Sequence, residues 1–174
     1  MTKIDPKELS MVPFDGKKLP VYFQYDKNET FLAEFYNEQA KRLGAESITY
    51  TYKIYYKEAM IAYFSYTLGG IKAAELGVKR KITPLSHPAI KLGMVLVTKP
   101  FRGRGIGTYI LAKLIKIAIE ARKSIPIRFI VVDATPDAEE FYVSRGFGIL
   151  RKNESTINMY LDIDKILKIK DKLK

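Results

Sequence analysis

One stretch of this chain restricts its fold more than any other: an apolar run that leads into closely spaced glycines. The run Met94–Val97 is continuously apolar, and a glycine stands at every second position from Gly103 to Gly107. A continuous apolar run is typical of a strand that is covered on both faces, and glycine adopts turn conformations that other residues avoid. The order predicts a buried strand, Ile90–Thr98, that turns through glycines into a long helix over Gly103–Arg122.

A glycine turn placed before a helix is suited to bind a phosphate group. The first amides of a helix have no internal partner, and the helix dipole adds partial positive charge at that end. Lys99, Arg102 and Arg104 are expected to reinforce this field. The dinucleotide fingerprint and the Walker loop do not fit, because both require a glycine where Thr108 stands. The alternative is a turn that serves only the tight packing of a strand against a helix.

The second half of the chain favours an α/β (α+β) fold, because strands alternate with helices before a final strand pair. The predicted elements are Ile90–Thr98, Gly103–Arg122, Ile127–Ala134, Pro136–Ser144, Gly148–Lys152 and Thr156–Leu161. Continuous apolar runs such as Phe129–Val132 indicate strands that are covered on both faces, as in a largely parallel region. We therefore expect one domain over residues 1–174, with a mixed central β-sheet flanked by helices.

The first half begins irregularly and then predicts a helix followed by a hairpin. The predicted elements are a helix at Asn28–Leu43 that ends before Gly44, a strand at Ser47–Tyr56, a turn at Lys57-Glu58 and a strand at Ala59–Leu68 that stops at Gly69-Gly70. The aromatic residues of Tyr50–Tyr66 fit the core of the sheet, with a homodimer surface as the alternative. The lysine-rich tail, residues 162–174, is interpreted as a solvated C-terminal helix that packs one face, with a nucleic-acid arm as the alternative.

The composition of the chain excludes many kinds of chemistry. With no cysteine and one histidine, the chain has no disulfide, thiolate nucleophile or Cys-rich zinc site, and His-based triads are disfavoured. The longest apolar runs are far shorter than the about 20 residues of a membrane-spanning helix. Since Met1–Pro6 also lacks the apolar core of a signal peptide, we expect a cytoplasmic protein. The net charge of +11 favours a polyanionic ligand or partner.

Two motifs together resemble those of the GNAT acetyltransferase superfamily. Arg102-x-x-Gly105-x-Gly107, after a buried strand, resembles the acetyl-CoA loop of that superfamily. Downstream, Val132-Asp133-Ala134 followed by Phe141-Tyr142-x-x-x-Gly146-Phe147 resembles its second signature. The resemblance covers about Asn28–Leu161 and implies a single-domain GNAT-like fold that uses acetyl-CoA and requires no metal.

The resemblance also implies which residues contact acetyl-CoA. Backbone groups of Leu96 and Val97 are expected to hydrogen-bond the pantetheine and acetyl end. The backbone amides expected to hold the pyrophosphate are those of Arg102, Gly103, Arg104, Gly105, Ile106, Gly107 and Thr108. A helix N-terminus with neighbouring arginines suits such a polyanion.

Tyr142 is the candidate general acid, because similar enzymes use the tyrosine at this motif position to protonate the departing thiolate. The alternative is that Tyr142 only packs beside Phe141 and Phe147. Since the chain has no cysteine, an acetyl-cysteine intermediate is excluded and direct transfer is expected. Candidate bases are Glu139, Glu140 and Asp133, each of which also fits a solvated or strand-end charge. An α-amine, whose pKa is about 7.7–8.0, would need no strong base.

The acceptor amine is not determined by these motifs. The basic stretch Lys79, Arg80 and Lys81 is either a solvated loop or a surface that contacts RNA phosphates. The layout also resembles the toxin branch of the superfamily, which acetylates the amino acid on charged tRNA. This chain departs from that branch at Thr98, where the branch often has Asp. An aminoacyl-tRNA α-amine, a protein N-terminus, a small-molecule amine and a non-catalytic nucleic-acid-binding module all stay open.

Overall fold

The computed structural model describes residues 2–77 and 86–172, and within them seven strands form one mixed sheet. The strands are β1 Leu9–Pro13, β2 Tyr50–Tyr56, β3 Ala59–Lys72, β4 Ser86–Val97, β5 Phe129–Ala134, β6 Gly148–Lys152 and β7 Ile157–Asp162. Their order across the sheet is β1-β2-β3-β4-β5-β7-β6. Strands β4 and β5 pair in parallel, whereas β1 with β2, β2 with β3, β5 with β7 and β6 with β7 pair antiparallel. The predicted α/β class with a mixed sheet is confirmed.

The α-helices are α1 Thr30–Glu34, α2 Ala40–Ala45, α3 Ile106–Ala121, α4 Glu139–Val143 and α5 Ile163–Lys172. Short 3₁₀ turns occupy Pro6–Glu8, Lys27–Glu29, Ala73–Leu76, Lys99–Phe101 and Pro136–Ala138. In the described part of the chain, no helix is both long and apolar enough to cross a membrane.

One compact unit comprises residues 2–67 and 93–114. Its helical segment extends from α1 to α2 through a π-helical turn, Phe35–Gln39, in which the amide of Ala40 donates to the carbonyl of Phe35. The predicted single helix is therefore interrupted, and it ends at Ala45 rather than before Gly44. The π-helical turn places Phe35 and Tyr36 in the core of this unit, where Tyr36 lies 4.8 Å from Tyr63 between ring centroids.

The other compact unit comprises residues 68–77, 86–92 and 115–172. Ile71, Ala89 and Phe129 form a buried cluster in it, and Ala89–Leu92 of β4 pair with Phe129–Val132 of β5. This parallel pairing agrees with the continuous apolar runs of both strands. The predicted C-terminal helix is present as α5, and its first residue, Ile163, is fully buried, as expected for a helix that packs one face.

The first half of the chain contains a strand that the sequence does not predict. The opening is not irregular throughout, because Leu9–Pro13 is paired antiparallel with β2, with Leu9 opposite Tyr56 and Pro13 opposite Tyr52. The predicted stop at Gly69-Gly70 is also wrong, since β3 continues to Lys72. A Cβ on Gly70 would lie 3.1 Å from the carbonyl oxygen of His87, so this glycine permits close approach of two backbones.

The buried face of strand β2 agrees with the prediction only in part. The alternation predicts that Ile48, Tyr50, Tyr52 and Ile54 face the core while the polar residues between them face solvent. Ile54 is fully buried as predicted, but Tyr50 is 52% exposed, whereas Thr51 is 7% and Lys53 5% exposed. Lys53 is tolerated there because its Nζ lies 2.8 Å from Asp15 Oδ2.

Candidate functional site

The loop between β4 and α3 has the conformation that the glycine spacing predicts. After the 3₁₀ turn Lys99–Phe101, Gly103 has a φ of 70° and Gly105 a φ of 91°, both left-handed, and α3 begins at Ile106. The helix therefore begins three residues later than the predicted Gly103. A Cβ on Gly105 would meet no atom within 4 Å, so the space beside this backbone is open to a ligand.

The predicted acetyl-CoA residues lie at the end of β4, in the loop that follows it and in the first turn of α3. Leu96 is buried at the end of β4, and the carbonyl of Val97 accepts a hydrogen bond from Arg102 Nε at 3.0 Å. The amide of Arg102 donates to the carbonyl of Lys99 at 3.2 Å. Ile106, Gly107 and Thr108 form the first turn of α3. A helix of this length presents its N-terminal amides and the positive end of its dipole to the loop, which is the general basis of anion binding at a helix N-terminus.

The sequence predicts that Lys99 and Arg102 reinforce the positive field at the N-terminus of α3, but in the structure both pair with carboxylates. Arg102 lies 2.7 Å from Asp26 Oδ2 and 2.5 Å from Glu29 Oε2, and Lys99 Nζ lies 2.5 Å from Asp26 Oδ1. Hydrogen bonds from Lys99 and Arg102 hold the pKa of the Asp26 carboxyl below its usual value. Two carboxylates thus balance two cations beside the loop.

Arg104 is the cation of this loop that has no carboxylate partner among the described residues. Its guanidinium lies 5.1 Å from the centroid of the Phe101 ring, and its Nε donates to the carbonyl of Thr2 at 3.3 Å. The carbonyl of Arg104 accepts from the amide of Ile4 at 3.1 Å. The positive charge next to the helix N-terminus therefore comes from Arg104 and the α3 dipole.

Residues 24–29 are part of the site although the sequence does not predict it. The amide of Gln24 donates to Thr98 Oγ1 at 2.8 Å, and the amide of Lys99 donates to the carbonyl of Gln24 at 3.0 Å. The one sequence signal is the spacing of Asp26 and Glu29, which is typical of a residue pair that begins a helix. That signal does not identify a partner more than 70 residues away in the chain.

Tyr142 lies in α4 of the other compact unit, within an aromatic cluster. Its ring centroid is 5.0 Å from that of Phe141 and 5.1 Å from that of Phe147, with edge-to-face geometry. Burial raises the pKa of Tyr142 to about 12. Its hydroxyl has no hydrogen-bond partner among the described residues, and it is protonated at neutral pH.

Two of the three candidate bases are engaged in ion pairs. Lys152 Nζ lies 2.7 Å from Glu139 Oε1, and Lys91 Nζ lies 2.6 Å from Asp133 Oδ2. Glu140 is exposed. Among the residues that the structure describes, no cluster of three or more His, Asp or Glu side chains could hold a metal ion. Lys79, Arg80 and Lys81 lie outside the described residues.

Comparisons with known proteins agree with this geometry. A family model described as an acetyltransferase (GNAT) domain matches residues 20–158. No curated protein sequence matches the chain.

Several solved structures share the fold over nearly the whole chain. The crystal structure of a mutant of KacT is 21% identical, with a TM-score of 0.79, and the match covers 93% of this chain and 99% of that one. AtaT complexed with acetyl-methionyl-tRNAfMet is 19% identical, with a TM-score of 0.78 and coverages of 92% and 98%. AtaTR bound with AcCoA is 20% identical, with a TM-score of 0.76 and coverages of 94% and 98%.

Proposed function

Since this chain belongs to the acetyltransferase (GNAT) family, we propose that it transfers an acetyl group from acetyl-CoA to a primary amine. The observation that carries the proposal is the loop that ends in the left-handed Gly103 and Gly105 and opens a 16-residue helix. This backbone suits the diphosphate of acetyl-CoA, because glycine allows close approach and helix amides donate to the anion.

In this proposal, backbone groups make most of the contacts to acetyl-CoA, and one side chain adds a positive charge. Amides from Gly103 to Thr108 hold the pyrophosphate, and Arg104 adds a charge beside them. Leu96 and Val97 hold the pantetheine and acetyl end through backbone groups. Since the Val97 carbonyl already accepts from Arg102, the pantetheine shares that oxygen or bonds to the neighbouring amides.

Acetyl transfer joins the amine nitrogen to the thioester carbonyl carbon and breaks the C–S bond. The amine loses one proton to solvent, the departing sulfur gains one from Tyr142, and solvent returns a proton to the phenolate. Burial raises the pKa of Tyr142 to about 12, so the hydroxyl is protonated at neutral pH but is a weaker acid than an exposed tyrosine. Because a pKa of about 12 lies above that of a thiol, about 8.5, the hydroxyl first donates a hydrogen bond to the sulfur as negative charge develops there.

The acceptor that we propose is the α-amine of an aminoacyl-tRNA. An α-amine is substantially neutral near pH 8, so it needs no strong base, and Glu139 and Asp133 are both engaged in ion pairs. The net charge of +11 suits a polyanionic acceptor. The structural neighbour AtaT, which is complexed with acetyl-methionyl-tRNAfMet, supports the same acceptor class.

The test measures thermal stability with and without acetyl-CoA, and then CoA thiol release with three acceptors. These are an aminoacyl-tRNA, the same tRNA without its amino acid, and a peptide with a free N-terminus. We expect acetyl-CoA to raise Tm. With acetyl-CoA present, we expect thiol release with the aminoacyl-tRNA but not with the other two acceptors. Thiol release with the peptide alone would contradict the tRNA acceptor. Without any effect of acetyl-CoA, the enzymatic proposal fails.

A variant of the chain tests the basic stretch Lys79–Lys81. Replacing Lys79, Arg80 and Lys81 together by Gln should weaken acceptor binding and reduce its dependence on salt, because fewer counterions are released from RNA phosphates. The Tm increase produced by acetyl-CoA should stay the same. Unchanged salt dependence would assign these residues to a solvated loop.

A further inference from the structure

The guanidinium of Arg102 donates to three acceptors of the protein, while the side chain stays 35% exposed. Its Nε donates to the Val97 carbonyl at 3.0 Å, and its two terminal nitrogens lie 2.7 Å from Asp26 and 2.5 Å from Glu29. Lys99 Nζ contacts the second oxygen of Asp26 at 2.5 Å. Each nitrogen of the Arg102 guanidinium therefore has a protein acceptor.

The two carboxylates are themselves held in place. The amide of Asp26 donates to Glu29 Oε2 at 2.7 Å, and the amide of Glu29 donates to the carbonyl of Asp26 at 2.9 Å. Next to them, the backbone of Gln24 bonds to the hydroxyl of Thr98 and to the amide of Lys99. Residues 24–29 are thus tied to the turn that precedes the glycines through both main chain and side chains.

We propose that Asp26 and Glu29 are positioning residues that hold this turn in its anion-binding conformation through Arg102. The inference rests on the proposed function, in which the following amides bind the diphosphate of acetyl-CoA. A loop that is ordered before binding loses less conformational entropy when the ligand arrives. Arg102 therefore acts as a cross-link between residues 26–29 and the turn that precedes the glycines.

If only charge mattered, removing Asp26 or Glu29 would change the affinity for acetyl-CoA in the opposite direction. Two carboxylates beside a polyanion site repel the ligand, so removing one should tighten binding if its charge alone mattered. If Glu29 acts by positioning, removing its charge should instead weaken binding. The direction of the change in affinity therefore distinguishes the two effects.

The experiment compares Glu29→Gln with the wild-type protein and with Glu46→Gln. Glu46 is a matched control, because it follows α2 directly, as Glu29 precedes α1 directly, and it also pairs with an arginine, with its Oε2 3.0 Å from Arg42. Amide hydrogen exchange of residues 98–107 is measured without ligand, and the Kd of acetyl-CoA by calorimetry. We expect Glu29→Gln to speed exchange in this stretch and to weaken acetyl-CoA binding about tenfold, since a charge-assisted hydrogen bond is lost. Glu46→Gln should leave both values unchanged.

Arg102→Lys gives a second measurement. Lysine keeps the positive charge but cannot reach three acceptors with a planar fork, so this variant should weaken binding like Glu29→Gln. Unchanged protection of core amides, such as those of β3, confirms that each variant is folded.

Each outcome decides the inference. Tighter binding in Glu29→Gln would show that the carboxylate competes with the ligand, and unchanged exchange in residues 98–107 would show that it does not order the loop; either result overturns the proposal. If the wild-type protein does not bind acetyl-CoA, the proposed function fails, while the exchange measurement still decides whether Glu29 orders the loop.

Discussion

Replacing Gly105 by alanine tests the most specific structural claim about the loop. Gly105 has a φ of 91°, and a Cβ there meets no atom within 4 Å, so the substitution adds conformational strain without a clash. A left-handed L residue costs about 1–2 kcal/mol. At about 2–4 °C per kcal/mol for a chain of this length, Tm should fall by roughly 2–8 °C.

Gly77→Ala is the matched control. Gly77 has a φ of 65°, and a Cβ added there also meets no described atom within 4 Å, so its loss of stability should be similar. Gly77 lies in a different turn, at the end of the 3₁₀ turn Ala73–Leu76. Its variant should therefore keep the affinity of the protein for acetyl-CoA.

The affinity for acetyl-CoA should differ between the two variants. If the diphosphate approaches the loop backbone at Gly105, the added methyl group occupies that approach, and calorimetry should show weaker acetyl-CoA binding only for Gly105→Ala. Equal affinity losses in the two variants would refute the assigned binding position. A Gly105→Ala protein as stable as the wild type would refute the strain argument.

Three further predictions concern other parts of the chain. Tyr142→Phe should lower kcat about 10²-fold or more with little change in the KM for acetyl-CoA, and calorimetric unfolding should show no loss of stability, because the hydroxyl has no partner among the described residues. Asp15→Asn should cost about 2–3 kcal/mol in denaturant unfolding because it leaves the buried Lys53 charge unpaired, whereas Lys53→Met should cost less, since Asp15 is 40% exposed and can be hydrated. A hydrogen bond from Arg122 holds the pKa of the Asp164 carboxyl below its usual 3.8. The unfolded chain therefore takes up a proton that the folded one does not, so Tm should fall as pH drops below about 4, and Asp164→Asn should flatten that fall.

The glycine loop and the order of most elements could be predicted because their signals are local. The strand predicted at Ile90–Thr98 lies at Ser86–Val97, and the helix predicted at Gly103–Arg122 lies at Ile106–Ala121. Apolar periodicity and glycine spacing depend only on neighbouring residues. Strand β1 could not be predicted in this way, because five residues with mixed polarity do not indicate a strand until β2 provides a pairing partner.

The sequence by itself determined the turn of left-handed glycines before α3, because such a turn is a property of the local backbone. Only the tertiary structure decided which cation of the loop is left without a carboxylate among the described residues, because Asp26 lies 76 positions from Arg102 and their contact depends on how the chain folds. The burial of Thr51 and Lys53 likewise depends on tertiary contacts. A side chain's surroundings come from distant segments, whereas a turn's conformation comes from its own residues.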